Sequence, residues 1–250
     1  MCYFINGKNY IYPTRDEMIR QISSMRGRFQ SYKDYAGATF EESFTKKEIA
    51  DAYVVKSECF ESSYFENKGA GIFVRTKLPV EAQFAPVFGM ITGDYNDDGN
   101  LDVLLAGNSY ATEASTGRYD ALTGLLLAGD GKGHFKPLAS AATGFTADAD
   151  AKGMAQLKGQ NGSNIILLGN NASTMEAYQL DKKSTRIIAV KNDDLYAIVH
   201  KKNGQVYKQE FYWGSNYLSQ SSRILQVGKD VISVSVYDGV GNKREEAIKN

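Results

Sequence analysis

Cysteine, histidine and proline are scarce in this chain of 250 residues, which has two cysteines, two histidines and four prolines. Cys2 and Cys59 are too few to form a disulfide framework. So few sulfur and nitrogen ligands also give no reason to expect a zinc site. The H-E-x-x-H, G-x-S-x-G and C-x-x-C motifs are missing, as is a glycine-rich phosphate-binding loop. The sequence therefore predicts no catalytic centre.

Long apolar runs are missing as well. The stretch 165–168 (IILL) is far shorter than the ~20 apolar residues that cross a bilayer, so we expect no membrane span. The first residues, MCYFINGKNYIYPTRDE, lack the charged start and apolar core of a signal peptide. Lysine plus arginine and aspartate plus glutamate number 29 each, for a formal net charge of zero. This balance gives no electrostatic reason to expect binding to nucleic acid or to anionic membranes.

Aromatic residues, by contrast, are abundant, with 16 tyrosines and 12 phenylalanines. Aromatic side chains are enriched in β-strands, where they pack on the pleated surface. The composition therefore predicts a mainly β protein with aromatic residues in its core. A surface on which ligands stack against aromatic rings is the alternative interpretation.

Residues 1–53 show helical patterns instead. Thr14 with Glu17 forms a capping-box motif, and Thr45 with Glu48 forms a second one. Apolar residues follow the first motif at helical spacing: Met18, Ile22, Met25 and Phe29. We predict a helical insertion packed on a β-structure, with its apolar stripe as part of the core.

An internal repeat of about 62 residues runs through residues 54–180. The stretch 69–73 (GAGIF) matches 131–135 (GKGHF), and 102–108 (DVLLAGN) matches 164–170 (NIILLGN) at the same offset. Two matches at one offset indicate a repeat. Each copy has apolar strands joined by a glycine-rich turn and a long loop, which is typical of a β-propeller blade. The sequence thus predicts two blades of a partial propeller.

Residues 181–250 predict a small antiparallel β-domain. Asn203-Gly204 lies between two alternating stretches and is a strong hairpin signal. Residues 231–236 alternate between apolar and polar, and a further turn is expected at Gly241-Asn242.

The loop 94–102 (DYNDDGNLD) has the spacing of a calcium-binding loop. Calcium takes six to eight oxygen ligands, and a tight loop supplies several when alternate side chains turn inward. We predict side-chain ligands from Asp94, Asn96, Asp98 and Asp102 and a backbone carbonyl ligand from Asn100, with a sharp turn at Gly99. An EF-hand would need a glutamate where Leu105 stands, so this is a loop between strands. A solvated turn without metal is the alternative.

The second repeat lacks this ligand set. At the 62-residue offset the four side-chain positions become Gln156, Lys158, Gln160 and Asn164. These residues carry no carboxylate, so we expect a single Ca²⁺, with Lys158 replacing the charge of the cation in the second copy.

The loop 94–102, its following apolar strand and the stretch 129–135 (GDGKGHF) resemble FG-GAP/VCBS repeats, the blade repeats of integrin alpha-chain propellers. Residues 212–222 (YWGSNYLSQSS) resemble the signature of the ASPIC/UnbV domain, which follows such propellers. The arrangement is similar to that of Bacteroidota surface proteins encoded beside outer-membrane nutrient-uptake systems. The resemblance implies a calcium-stabilised propeller outside the cell or at its surface.

Two departures from this family affect what we expect. A complete propeller needs four to eight blades, whereas the chain has about two. A signal peptide is also missing. We therefore expect the C-terminal part of a longer protein. The isolated chain should associate with itself, pair with a partner that supplies the missing blades, or be only marginally folded.

The best candidate surface for a protein or glycan ligand follows the calcium strand. It combines aromatic, charged and amide side chains: Asn108, Tyr110, Glu113, Arg118, Tyr119 and Asp120. Packing of this loop on the next blade is the alternative. We predict a non-catalytic protein for surface recognition or scaffolding. The second hypothesis is an enzyme, or enzyme subunit, acting on extracellular polysaccharide with paired carboxylates such as Asp193-Asp194.

Overall fold

A computed structural model describes residues 2–114, 116–159, 163–180, 186–246 and 248. The protein is mainly β, with 41% of its residues in strands and 12% in helices, which confirms the predicted class. The described strands form separate antiparallel sheets and do not close into a barrel or a propeller. No helix in the described ranges is long and apolar enough to cross a membrane.

The chain divides into two compact units, of which the first is Met1–Phe60. It opens with a hairpin that the sequence patterns did not lead us to expect, formed by β1 (Cys2–Ile5) and β2 (Lys8–Ile11). Asn6 and Gly7 join these strands with positive φ angles of 49° and 80°. An Asn-Gly pair of this kind is typical of a two-residue hairpin turn.

Four short helices follow the hairpin: α1 (Arg15–Gln21), α2 (Met25–Arg28), α3 (Tyr32–Ala36) and α4 (Phe40–Ser43). Thr14 and Glu17 form the expected capping box at the start of α1. The apolar stripe is core in part, because Met18, Met25 and Phe29 are buried together whereas Ile22 ends α1 and is exposed.

The second capping-box motif, Thr45 with Glu48, makes its hydrogen bonds, but residues 46–50 form a turn and not the predicted helix.

The second unit, Glu61–Asn250, begins with three antiparallel sheets. The first is a hairpin of β3 (Ser63–Asn67) and β4 (Phe73–Lys77). The second has the order β5 (Val87–Gly93), β6 (Asp102–Gly107), β7 (Leu125–Gly129) and β8 (Phe135–Leu138). After α5 (Ser140–Thr143), the third pairs β9 (Ala151–Lys158), β10 (Asn164–Asn170) and β11 (Glu176–Leu180), with β10 in the middle.

Strand positions in these sheets follow the 62-residue offset. Strand β7 starts 62 residues after β3 (125 − 63), β8 starts 62 after β4 (135 − 73), and β10 starts 62 after β6 (164 − 102). The two sequence matches therefore fall on equivalent structural elements. The stretches 69–73 and 131–135 are both hairpin connections, and the other two stretches are both central strands.

Apolar side chains from β5–β8 and β9–β11 pack against each other in one core. Its members include Ile91 and Leu104 from the first of these sheets and Met154 and Leu168 from the second. The opposite face of the β5–β8 sheet has a separate core, in which Leu105 and Leu127 pack against the segment that contains the 3-10 helix Val80–Gln83.

The C-terminal part has two further sheets. One pairs β12 (Arg186–Ala189) with β15 (Ile224–Val227). The other has the order β14 (Val206–Glu210), β13 (Asp194–Lys201), β16 (Val231–Asp238) and β17 (Lys243–Glu246). The turns predicted at Asn203-Gly204 and Gly241-Asn242 join β13 to β14 and β16 to β17. Nine buried residues, including Val199 and Val234, form the core between these sheets.

Candidate metal site

The loop 94–102 joins β5 to β6 and has a backbone that only certain residues adopt. Asp97 has φ +62° and Gly99 has φ +86°, both in the left-handed region. Asparagine, aspartate and above all glycine tolerate this region. The glycine predicted to allow the sharp turn therefore stands where the backbone requires it.

Three of the predicted ligand side chains fold back onto the loop. Gly99 N donates to Asp94 Oδ2 over 3.0 Å, Asp98 N donates to Asn96 Oδ1 over 3.0 Å, and Asn100 N donates to Asp98 Oδ1 over 2.7 Å. Each acceptor oxygen therefore lies close to the backbone of the same short loop. Because an oxygen of this kind has a second lone pair, such a bond does not prevent it from also binding a cation.

The fourth predicted side-chain ligand, Asp102, is fully buried. Its Oδ2 accepts a hydrogen bond from Tyr95 N over 2.8 Å, and its Oδ1 accepts one from Gly129 N over 2.9 Å. Burial raises the pKa of this carboxyl group, the two backbone bonds oppose the rise, and the negative charges of Asp98 and Asp94 add to it. These carboxylates are thus close enough to repel one another, and a bound cation would relieve that repulsion.

Within the described ranges, no group of three or more His, Cys, Asp or Glu side chains is arranged to hold a metal ion. The predicted set combines three carboxylates, those of Asp94, Asp98 and Asp102, with the Asn96 amide and the Asn100 backbone carbonyl, and the structure does not bring the three carboxylates together as such a group. Hard cations such as Ca²⁺ take amide and carbonyl oxygens as ligands alongside carboxylates. The chemistry of these donors fits calcium. Calcium binding by the loop 94–102 remains a prediction.

The turn 130–134 packs against this loop. A Cβ at Gly131 would lie 2.5 Å from Asn100 Oδ1, and Gly131 has φ +69°, a backbone conformation that favours glycine. Within the turn, Asp130 Oδ1 accepts bonds from Lys132 N and His134 N, and these bonds together with the nearby His134 ring lower the pKa of Asp130 to about 2.

In the second repeat, the corresponding described positions lie in the two strands β9 and β10. Gln156 and Lys158 lie in β9, Asn164 begins β10, and Lys158 pairs with Asn164 across the hairpin. The remaining position, Gln160, lies outside the described residues. The described residues at these positions therefore belong to paired strands and not to a loop like 94–102.

Among the candidate ligand-binding residues, Asn108 lies in the interior. It is fully buried, and its Nδ2 donates to Leu122 O over 2.8 Å and to Ala149 O over 3.0 Å. Its Oδ1 accepts a bond from Leu122 N over 3.1 Å. The Asn108 side chain therefore joins the backbone at Leu122 to the backbone at Ala149. Because it is fully buried, it does not contribute to a binding surface.

The other five candidates lie at or near the surface. The guanidinium of Arg118 stacks 4.9 Å above the Tyr110 ring, and the Tyr110 hydroxyl donates to Asp148 O over 3.0 Å. Tyr119 forms a β-bridge with Ser109. Glu113 and Asp120 are exposed. The loop thus brings Tyr110 and Arg118 into contact.

The serine-rich segment 212–222 lies along the edge of β9. Ser219 Oγ donates to Met154 O over 3.1 Å, while Gln156 N donates to Ser221 Oγ over 3.0 Å and Lys158 N to Ser222 Oγ over 3.2 Å. Ser222 N also donates to Gln156 O over 2.7 Å.

The same segment reaches β5, because Met90 N donates to Asn216 Oδ1 over 3.0 Å. The segment therefore forms hydrogen bonds with backbone groups of β9 and β5, and each of these is an edge strand of its sheet.

This fixed segment presents exposed aromatic side chains. Trp213, the single tryptophan, is 66% exposed, and Tyr212 and Tyr217 are also exposed. The Arg223 guanidinium stacks 4.5 Å from the Trp213 ring. Aromatic side chains are enriched at interaction surfaces, so these exposed residues are candidates for one.

The acidic pair Asp193-Asp194 lines a crevice of about 130 Å³. Asp194 is buried there, and both of its oxygens accept bonds from Arg244 over 2.9 Å. This carboxylate is therefore engaged in an ion pair that joins β13 to β17.

Comparison with protein-family models, with curated proteins and with solved structures found no match to this chain. The resemblance to FG-GAP/VCBS repeats and to the ASPIC/UnbV domain thus rests on the quoted residues alone.

Proposed function

We propose that this protein is a non-catalytic, calcium-binding repeat protein that acts in recognition or scaffolding at the cell surface or outside the cell. The observation that carries the proposal is the conformation of the loop 94–102. Its side-chain oxygens are held within a tight turn at the spacing of a calcium loop. Asp94, Asn96, Asp98 and Asp102 would bind the cation through side chains, and Asn100 through its carbonyl.

The repeat supports a finer proposal for the fold, in which β5–β8 is one propeller blade and β9–β11 is part of the next. The 62-residue offset of their strands and their shared core agree with this arrangement. Strands β3 and β4 would then be the outer half of a preceding blade, since β7 and β8 stand at their positions in the repeat. Blades of this kind bury their faces against neighbours.

The exposed aromatic side chains of 212–218 support the recognition role. The side chains of Asn216 and Ser221 in the same segment bond to β5 and β9, which restrains the segment before any ligand arrives and lowers the conformational entropy lost on binding. We propose that a protein or glycan partner contacts this surface, and that Tyr110 and Arg118 form a second candidate contact.

Isothermal titration calorimetry with CaCl₂ tests the metal assignment. We expect one Ca²⁺ per chain with a Kd of about 10⁻⁴–10⁻³ M, as in extracellular modules. Asp98→Ala removes a predicted ligand and should abolish the measurable heat. Asp97→Asn removes an adjacent charge at a position that is not a predicted ligand, and it should bind as the wild type does. Equal heats for Asp98→Ala and wild type would contradict the assignment.

A further inference from the structure

A lysine from the C-terminal sheet reaches the loop 94–102. Lys201, the last residue of β13, is only 8% exposed, and its Nζ donates a hydrogen bond to Gly99 O. The same Nζ lies 3.3 Å from Asp230 Oδ2 and 5.7 Å from the centre of the Tyr207 ring. A buried ammonium group needs such partners, because an unpaired buried charge is costly.

Position 99 requires glycine because its φ is +86°, and the Asp230 and Lys201 side chains lie directly beside it. A Cβ at Gly99 would lie 3.2 Å from Asp230 Oδ2 and 3.5 Å from Lys201 Nζ. Asp230 is itself tied to the end of β13, because Lys202 N donates to Asp230 O over 2.7 Å. Gly99 therefore lies beside two charged side chains, those of Lys201 and Asp230, and the residue after Lys201 bonds to the Asp230 backbone.

We propose that Lys201 is a positioning residue for the loop: by holding the Gly99 carbonyl, it fixes the loop backbone and couples the loop to the C-terminal sheet. The neighbouring amides of Gly99 and Asn100 bond to Asp94 and Asp98, so the fixed peptide also sets where those carboxylates lie. The effect on cation binding rests on the proposed function. The effect on the loop backbone does not.

Simple electrostatics and positioning predict opposite signs for one variant. Lys201→Met removes a positive charge close to the proposed cation, so Coulomb attraction alone would tighten calcium binding. If Lys201 holds the loop in its binding conformation, the same variant must weaken binding, because the binding-competent state becomes less populated. The sign of the change in Kd therefore distinguishes the two roles.

The experiment compares wild type with Lys201→Met, Lys201→Arg and Lys202→Met. Lys202 is the exposed neighbour of Lys201 and provides a matched control for loss of one lysine. Calcium titration should show binding weakened about fivefold or more in Lys201→Met, within the usual range of coupling between sites. Lys201→Arg, which keeps the charge and the donors, should recover part of the affinity, and Lys202→Met should match the wild type.

Hydrogen exchange of the metal-free proteins tests the effect of Lys201 on the loop backbone without calcium. The Gly99 and Asn100 amides should exchange about fivefold or more faster in Lys201→Met than in Lys202→Met, because local opening becomes easier. The melting curve of each variant reports whether it is folded. Tighter or unchanged calcium binding, or unchanged exchange at these amides in a folded Lys201→Met protein, would overturn the proposal. If wild type fails to bind calcium while exchange still rises, only the proposed function is lost.

Discussion

The side chain of Asn108 pairs with the backbone of Leu122 in both directions, donating over 2.8 Å to the carbonyl and accepting over 3.1 Å from the amide. Asn108→Ala would leave these buried backbone groups and the Ala149 carbonyl without their partner. An unsatisfied buried group costs about 1–3 kcal/mol. We therefore expect the free energy of unfolding to fall by about 2–4 kcal/mol in urea titrations, which is a large effect for one substitution.

Two further variants separate the loss of hydrogen bonds from other effects of replacing Asn108. Asn108 has φ +87°, so Asn108→Gly removes the same hydrogen bonds without backbone strain and should still destabilise the protein. Asn170 occupies the equivalent position of the second repeat but is only half buried and bonds to Thr174 O and to Glu176. Asn170→Ala should cost less. Equal stability of Asn108→Ala and wild type would contradict this role.

Calcium should stabilise the folded protein. Binding to the folded state alone adds RT ln(1 + [L]/Kd), about 2.7 kcal/mol at a hundredfold excess over Kd. The melting temperature should therefore rise with added CaCl₂ and fall with chelator. Asp98→Ala should show neither change, and Asp97→Asn should show both. Indifference of the wild type to calcium and chelator would identify the loop as a plain turn.

The ion pair between Asp194 and Arg244 should make stability depend on acid pH. Burial alone would raise the pKa of Asp194, but the hydrogen bonds from Arg244 and from Lys191 N lower it below its ordinary value. A lowered folded-state pKa contributes stability above the unfolded-state pKa of ~3.9, and that stability is lost as pH falls through the folded-state value.

Urea unfolding at pH 7 and at pH 3 tests this pair. Asp194→Asn should be less stable than the wild type at pH 7, and the difference should shrink at pH 3, below the unfolded-state pKa of ~3.9, because the unfolded wild-type chain has then taken up the proton. Asp193→Asn changes the adjacent acid and is the matched control, with little expected loss at pH 7. A difference that stays constant between the two pH values would show that Asp194 does not act through its charge.

The hydroxyl groups of Ser221 and Ser222 should protect the edge of β9. They accept bonds from two of its backbone amides, and an unprotected strand edge pairs with other chains. The double variant Ser221→Ala, Ser222→Ala should therefore associate in a concentration-dependent way in sedimentation velocity runs. Ser173→Ala, at an exposed turn after β10, is the control. A monomeric double variant that keeps the wild-type melting temperature would refute this assignment.

Local features of this fold could be read from the sequence because their causes are local. The hairpin at Asn203-Gly204 and the capping box of Thr14 depend on residues within four positions of each other. The loop 94–102 was located in the same way, from the spacing of its oxygens. The hairpin at Asn6-Gly7 carried an equally clear signal, and the helical stripe that follows it led us to predict helix there instead.

Long-range features could not be predicted, because no periodicity connects their partners. Lys201 and Gly99 are 102 residues apart, and Ser219 and Met154 are 65 residues apart. A lysine at the end of a strand is usually solvated, and nothing near Lys201 in the sequence indicates a buried partner. The interior position of Asn108 likewise depends on backbone atoms brought together only in the folded chain.

The contacts of residues 212–222 with β9 and β5 also have a consequence for folding during synthesis. Strands β5 and β9 leave the ribosome before the segment that covers them, so a nascent chain exposes both edges for as long as the intervening residues take to be made. Exposed strand edges are where partly folded chains associate. Synthesis that stops between β11 and Tyr212 would thus release a species with its central sheets formed and two edges open, and we expect such truncated chains to be the first to aggregate.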